Sequence, residues 1–132
     1  MLYMLDTNIC SYIIREKPLY IKDKLKKVEL EHKIALSSIV VSELYYGAKK
    51  KNSSKLSKIV SNFIDNFLIY DFDKSSAIEY SKIRSSLEST GNIIGSNDLY
   101  IASHALSLDA ILVTNNTREF QRVQNLKLED WV

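Results

Sequence analysis

Three glycines, one proline and one cysteine are all that this chain has of the residues that break, bend or staple a backbone. So little Gly and Pro excludes a loop-rich or disordered chain. The lone Cys10 has no partner for an internal disulfide, which points to a reducing cytoplasm, and it reads as a small packed residue rather than a catalytic thiol. No apolar run approaches the roughly 20 residues that cross a bilayer. Asp6 interrupts the short apolar stretch at the N-terminus, and no basic segment precedes it, so no signal peptide is expected. A phosphate-cradling GxxxxGK[ST] loop is missing, which excludes nucleoside triphosphate hydrolysis by that route. So is a His/Cys set of the kind that holds zinc. The two histidines, His32 and His104, read as structural or surface positions and make no convincing pair for metal-free phosphodiester cleavage.

What is present is an ordinary globular composition: 132 residues, 45% apolar, consistent with one domain spanning 1–132. The 18 basic and 16 acidic residues leave a net charge of +2. Their distribution says more than their sum. "LYYGAKKKNSSKLSKIVSNFI" (residues 44–64) has five lysines and no acid. Lys49, Lys50, Lys51 and Lys55 are therefore candidates for holding a polyanion, the plain alternative being a solvated helix face.

Periodicity alternates between strand and helix. "LYML" (2–5), "KIALS" (33–37), "LIYDF" (68–72) and "AILVT" (110–114) read as short buried strands, and "LKLEDWV" as a last edge strand. Between them "TNICSYIIRE", "IKDKLKKVEL", "IVVSELYYGAKKK", "SKLSKIVSNFIDNF", "SSAIEYSKIRSSLEST", "NDLYIASHALSL" and "NTREFQRV" read as helices, with Ser38 and Asp73 as expected N-caps. Alternation of this kind predicts an α/β fold: a three-layer α/β/α sandwich around a mainly parallel sheet of four to five strands.

In such a fold strand C-termini and helix N-termini share one sheet edge, where open α/β sheets bind ligands. Asp6 follows the first strand. Glu43 lies early in the helix after the second, with Ile39, Val40 and Gly47 as its helical neighbours. Asp98 begins the helix that leads into "AILVT", and Asn116 and Glu119 follow that strand. Each has a plain alternative: Asp6 or Asp98 as an N-cap, Glu119 paired with Arg118 or Arg122. Together they place four acids from four segments at one crevice. At ~6 Å and an effective dielectric of ~20, each carboxylate pair costs about 3 kcal/mol, so protons or a cation must relieve the cluster. Oxygen donors suit hard divalent ions such as Mg²⁺ or Mn²⁺, and an ion so held activates water against a phosphodiester. With those four acids set aside, twelve acidic residues face 18 basic ones, a net +6. An acidic centre on a basic body fits a nucleic acid cut at a metal.

"LDTN", "SELYYGA", "NDLYIASHAL" and "LVTNNTREF", in this order and spacing, resemble the PIN domain, and more narrowly the VapC toxins of toxin–antitoxin pairs. The resemblance covers essentially the whole chain and implies a metal-dependent endoribonuclease with Mg²⁺ or Mn²⁺ as cofactor, leaving a 5′-phosphate and a 3′-hydroxyl. It assigns Asp6, Glu43 and Asp98 to the three core acidic positions, with metal contact, and Glu119 to the fourth. Asn116 stands where many PIN domains have Asp, and takes an orienting or water-binding role. Thr7, Asn8 and Thr114 match polar positions that support the carboxylates, and Asp109 replaces a Gly at the turn before a strand. The resemblance further implies a cytoplasmic homodimer, a cognate VapB antitoxin lying over the active-site groove with Tyr45 and Tyr46 as contact candidates, and an RNA substrate, with tRNA cleaved by relatives in this subgroup. A catalytically silent PIN-like module that binds RNA or protein is the competing reading. A phosphoacceptor domain is disfavoured, because no acidic pair follows strand one and "LVTNNT" contains no Lys.

Overall fold

The computed structural model describes residues 1–132. Five strands form one sheet: β1 (Leu2–Leu5), β2 (Lys33–Ser37), β3 (Leu68–Tyr70), β4 (Ile111–Val113) and β5 (Lys127–Glu129). Their spatial order is β3-β2-β1-β4-β5 and every pairing is parallel. The expected mainly parallel sheet is thus wholly parallel. Its centre is β1, where Tyr3 pairs with Ile34 on one side and Ile111 on the other. Successive residues Tyr3, Met4 and Leu5 are all buried although they point to opposite faces, so both faces of the sheet are covered by helices. The edge strands are short, and Leu68 and Ile69 of β3 are exposed.

The helices are α1 (Thr7–Arg15), α2 (Ile21–Glu29), α3 (Ser38–Lys50), α4 (Ser54–Ile64), α5 (Lys74–Ser89), α6 (Ser96–Ser107) and α7 (Thr117–Phe120). Five of the seven starts follow a short polar residue: Asp6, Ser37, Ser53, Asp73 and Asn116. Ser53 accepts from the Leu56 amide (3.1 Å), and Asp73 from the Ser76 amide (3.0 Å), as expected for the cap of α5. The expected cap of α3 is off by one residue: Ser37, the last residue of β2, accepts from the Ile39 amide (3.1 Å). Ser38 is already helical, and its hydroxyl accepts instead from the amide of Phe72 (3.1 Å), which ties α3 to the β3–α5 connection. The third strand stops at Tyr70 rather than Phe72, because the chain has turned toward the Asp73 cap. Asp109, in the turn before β4, has φ of 52°, the left-handed backbone that favours glycine.

Helix α6 is buried nearly all round, from Ile101 through Ala105. A helix buried on every face belongs inside a layer, and α6 packs on α5, on α3 and on β4. This central position keeps the start of α6 within reach of the β1 and β4 ends.

Candidate active site

Asp6 leaves the C-terminal end of β1 between β2 and β4, the point where the connections of the sheet diverge in opposite directions. It is both a cap and a member of the acid cluster. Its Oδ1 accepts from the Thr7 amide (2.7 Å) at the start of α1, and its Oδ2 accepts from the Thr114 hydroxyl (2.8 Å) just beyond β4. Only 4% of its surface is exposed. Burial pushes its pKa up; the Thr114 and Thr7 hydrogen bonds oppose this, and the charges of Glu43 and Glu119 add to it.

Glu43 lies on α3 one and a half turns below the Ser37 cap. Its helical neighbours Ile39, Val40 and Gly47 are largely apolar, yet the acid is neither buried nor unpaired. Glu43 is half-exposed, and both its oxygens have partners: the Thr7 hydroxyl donates to Oε1 (2.8 Å) and the Asn97 amide to Oε2 (3.2 Å). Thr7 thus touches Asp6 through its backbone and Glu43 through its side chain. Asn97 was missed in the sequence, because an amide one residue before an acid at a helix start has no signal of its own; only the crossing of α3 and α6 gives it a partner.

Asp98 does not cap α6. It is the third residue of the helix, and Gly95 occupies the cap position. Its half-buried carboxyl accepts no hydrogen bond within the protein. Burial and the charges of Asp6, Glu119 and Glu43, in that order, raise its pKa to about 6. The three acids that raise it are the ones expected to share its crevice.

Glu119, in α7, also departs from its plain reading. It forms no ion pair with Arg118 or Arg122. Its Oε1 accepts from the Gly95 amide (2.7 Å) and its Oε2 from the Asn116 side chain (2.8 Å). These two bonds hold its pKa below the usual carboxylate range, against a smaller effect of burial. Asn116 in turn donates its amide to the Thr114 hydroxyl (3.0 Å). A side chain at Gly95 would lie 3.6 Å from Asp98 Oδ2 and 3.7 Å from Glu119 Oε1, which places those two carboxyls side by side over the start of α6. Two neighbouring acids are therefore driven apart in pKa: one fully hydrogen-bonded and anionic, the other unbonded and raised.

Of the expected supporting residues, Thr7, Thr114 and Asn116 bond to the acids. Asn8 does not. It is exposed and faces a groove of about 390 Å³ whose lining includes Thr7, Arg15, Glu43, Gly47 and Lys51. Among the lysine candidates only Lys51 borders this groove; Lys49, Lys50 and Lys55 are exposed outside it. The hollow of about 520 Å³ bordered by Lys82, Leu87, Arg122 and Asn125 touches none of the four acids. Cys10 is fully buried, and burial raises its pKa well above the usual thiol range, so it is a packed thiol as expected.

No three Asp, Glu, His or Cys side chains converge into a ready-made chelate. The donor set nevertheless fits a hard divalent cation. It is made of carboxylates, one of them lacks any partner, and Mg²⁺ is commonly held by one or two carboxylates with the remaining ligands supplied by water.

A family model described as "PIN domain" matches residues 3–126. The chain is 46% identical to Ribonuclease VapC2 of Rickettsia felis, over 99% of this chain and 98% of that one. It is 38% identical to the tRNA(fMet)-specific endonuclease VapC of Shigella flexneri, over 98% and 97%. Among solved structures, VapBC2 from Rickettsia felis bound to a DNA fragment from their promoter superposes with a TM-score of 0.95, at 44% identity and with both chains covered in full. VapBC from Salmonella typhimurium bound to DNA superposes at 0.91, with 38% identity and both chains again covered in full. Nucleases of this family are generally dependent on divalent metals. With the four-segment acid cluster, the wholly parallel sheet and similarity along its entire length, the chain belongs to the PIN-domain family, among the VapC ribonucleases.

Proposed function

We propose that this protein is the toxin of a toxin–antitoxin pair, an endoribonuclease that hydrolyses RNA at the site formed by Asp6, Glu43, Asp98 and Glu119 with Mg²⁺ or Mn²⁺. The observation that carries this reading is the pair of neighbouring acids with opposite fates: Asp98 unbonded and raised to about 6, Glu119 bonded at both oxygens and lowered. Asp6 and Asp98, with Glu43 beside them, would hold the divalent ion, which would supply activated water and neutralise charge on the phosphodiester.

The chain's own groups prepare the site. Thr114 and the Thr7 amide orient the Asp6 carboxylate and favour its charged form. Thr7 and Asn97 hold Glu43 from two sides. The Gly95 amide and Asn116 keep Glu119 anionic. Asp98, raised to about 6 and with no partner within the protein, is the carboxyl that would be free to hold a cation. Lys51, on the groove that reaches Glu43, supports an RNA backbone approaching from that side.

The substrate is tRNA, as the names of the Shigella and Salmonella relatives indicate for those proteins, cut to a 5′-phosphate and a 3′-hydroxyl. A VapB-type antitoxin is the partner, as in the VapBC complexes to which the chain is similar. The protein acts as a cytoplasmic homodimer, and no helix is long and apolar enough to cross a membrane.

The test is incubation of total RNA with the purified protein, with and without Mg²⁺ or Mn²⁺, followed by fragment-end mapping. Wild type is expected to cut only with metal, and Asp6→Asn and Asp98→Asn not at all. Equal cleavage by all three proteins overturns the reading. RNA binding without metal-dependent cleavage would instead make the protein a silent binding module.

A further inference from the structure

His104 lies in the core of α6, 1% exposed, far from solvent for a residue that titrates near neutrality. Its Nδ1 is 2.8 Å from the hydroxyl of Ser37. That hydroxyl already accepts the Ile39 amide as the cap of α3. It keeps one proton and one further lone pair, so it can donate to His104 Nδ1 or accept from an Nδ1–H. Donation from Ser37 corresponds to the tautomer with its ring proton on Nε2. Burial lowers the pKa of His104, against a weaker pull from Asp73 and Asp71, and so favours the neutral ring. The ring is wedged edge-on against Phe72, 5.6 Å between centroids, and the His104 carbonyl accepts from Ser107 (2.8 Å).

Ser37 precedes Glu43 by six residues along α3. His104 follows Asn97 by seven residues along α6. The contacts His104–Ser37 and Asn97–Glu43 are thus two rungs between helices that run in opposite senses, and they match: six to seven residues span roughly 9–10 Å at ~1.5 Å per residue. One rung is buried and the other lies at the rim of the site. A buried hydrogen bond, shielded from competing water, is the stiffer constraint.

We propose that His104, as its Nε2–H tautomer, is a positioning residue: its buried bond to Ser37 sets how far α3 is advanced along α6, and so holds Glu43 against Asn97 and beside Asp98. This rests on the reading of the acid cluster as the active site. The role of His104 is indirect, since it touches none of the four acids.

The experiment is NMR on the full chain, in wild type, His104→Leu and His104→Asn, with RNA cleavage measured in parallel. Long-range ¹H–¹⁵N correlation in wild type is expected to show Nδ1 unprotonated. The Asn97 side-chain amide resonance is expected to move in His104→Leu and to return toward its wild-type position in His104→Asn, whose Oδ1 replaces the Nδ1 acceptor. Cleavage is expected to follow that order, at least tenfold lower in the Leu variant and largely rescued in the Asn variant. A protonated Nδ1, or an Asn97 amide that the Leu variant leaves unmoved, overturns the proposal. The tautomer is read from wild type, so a variant that fails to fold leaves the test standing. If wild type cleaves no RNA, the functional reading fails while the resonances still decide the role of His104.

Discussion

The hydroxyl of Thr114 donates to Oδ2 of Asp6 at 2.8 Å, joining the ends of β4 and β1 across 108 residues of chain. Without this bond the most buried acid of the site would lose one of the two donors that favour its anion. Thr114→Val is therefore expected to raise the Asp6 pKa further and to move the acid limb of the pH–rate profile to higher pH. The bond favours charged Asp6, so its contribution to stability, about 1–3 kcal/mol, is present at neutral pH and lost as pH falls through the titration of Asp6. Denaturation of wild type and variant at pH 7 and at acid pH checks both parts. A deficit of equal size at both pH values would count against it.

Asp98 has the opposite sign. Its folded pKa of about 6 lies above the ordinary 3.8, so the native state binds the extra proton between those values. The stability it contributes is complete below about pH 4 and lost as pH rises through about 6. Asp98→Asn removes that loss and is expected to be more stable than wild type at pH 7 by about 1 kcal/mol, once the half-exposed position and solvent screening are discounted. The difference should vanish near pH 4. The same variant should be inactive, and Mg²⁺ or Mn²⁺ should raise its melting temperature less than that of wild type at pH 7. Thermal melts across this pH range, with and without metal, give all three comparisons.

Asn116 holds one oxygen of Glu119, and the Gly95 amide holds the other. Asn116→Ala is expected to let the Glu119 pKa rise toward the ordinary value and to slow cleavage about tenfold, close to one hydrogen bond to a charged group. Arg118→Ala is the control. Glu119 forms no ion pair with Arg118, so that variant should retain wild-type cleavage. Steady-state rates at saturating metal distinguish the two.

Lys51 borders the groove that reaches Glu43, whereas Lys49, Lys50 and Lys55 stand outside it. Measured in an Asp98→Asn background, Lys51→Ala is expected to weaken RNA binding and to reduce the slope of log affinity against log salt by roughly 0.7–0.9, one phosphate contact. Lys49→Ala should leave the slope nearly unchanged. Fluorescence anisotropy over a salt series reads it directly.

Much of this was legible in the chain itself. Short unbroken apolar strands between amphipathic helices suffice for a parallel, doubly covered sheet, because both faces of each strand must find apolar cover. The positions of Asp6, Glu43, Asp98 and Glu119 relative to those strands bring four acids to one edge, because parallel strands end at the same side. Local chemistry also marked Asp73 as a cap. Which residue satisfies which acid was decided only by the tertiary structure. Ser37 rather than Ser38 caps α3; Thr7 and Asn97 share Glu43; Gly95 and Asn116 take Glu119 from the arginines beside it in sequence; His104, read as a structural or surface position, is buried and bonds to the start of α3. These are contacts between segments tens of residues apart. Hydrogen bonds need donor and acceptor within about 3 Å and aligned, a condition that periodicity and spacing do not encode and that packing of α3, α6 and β4 supplies. Sequence determined where the charges are; the fold decided which of them are hydrogen-bonded and which one is left without a partner.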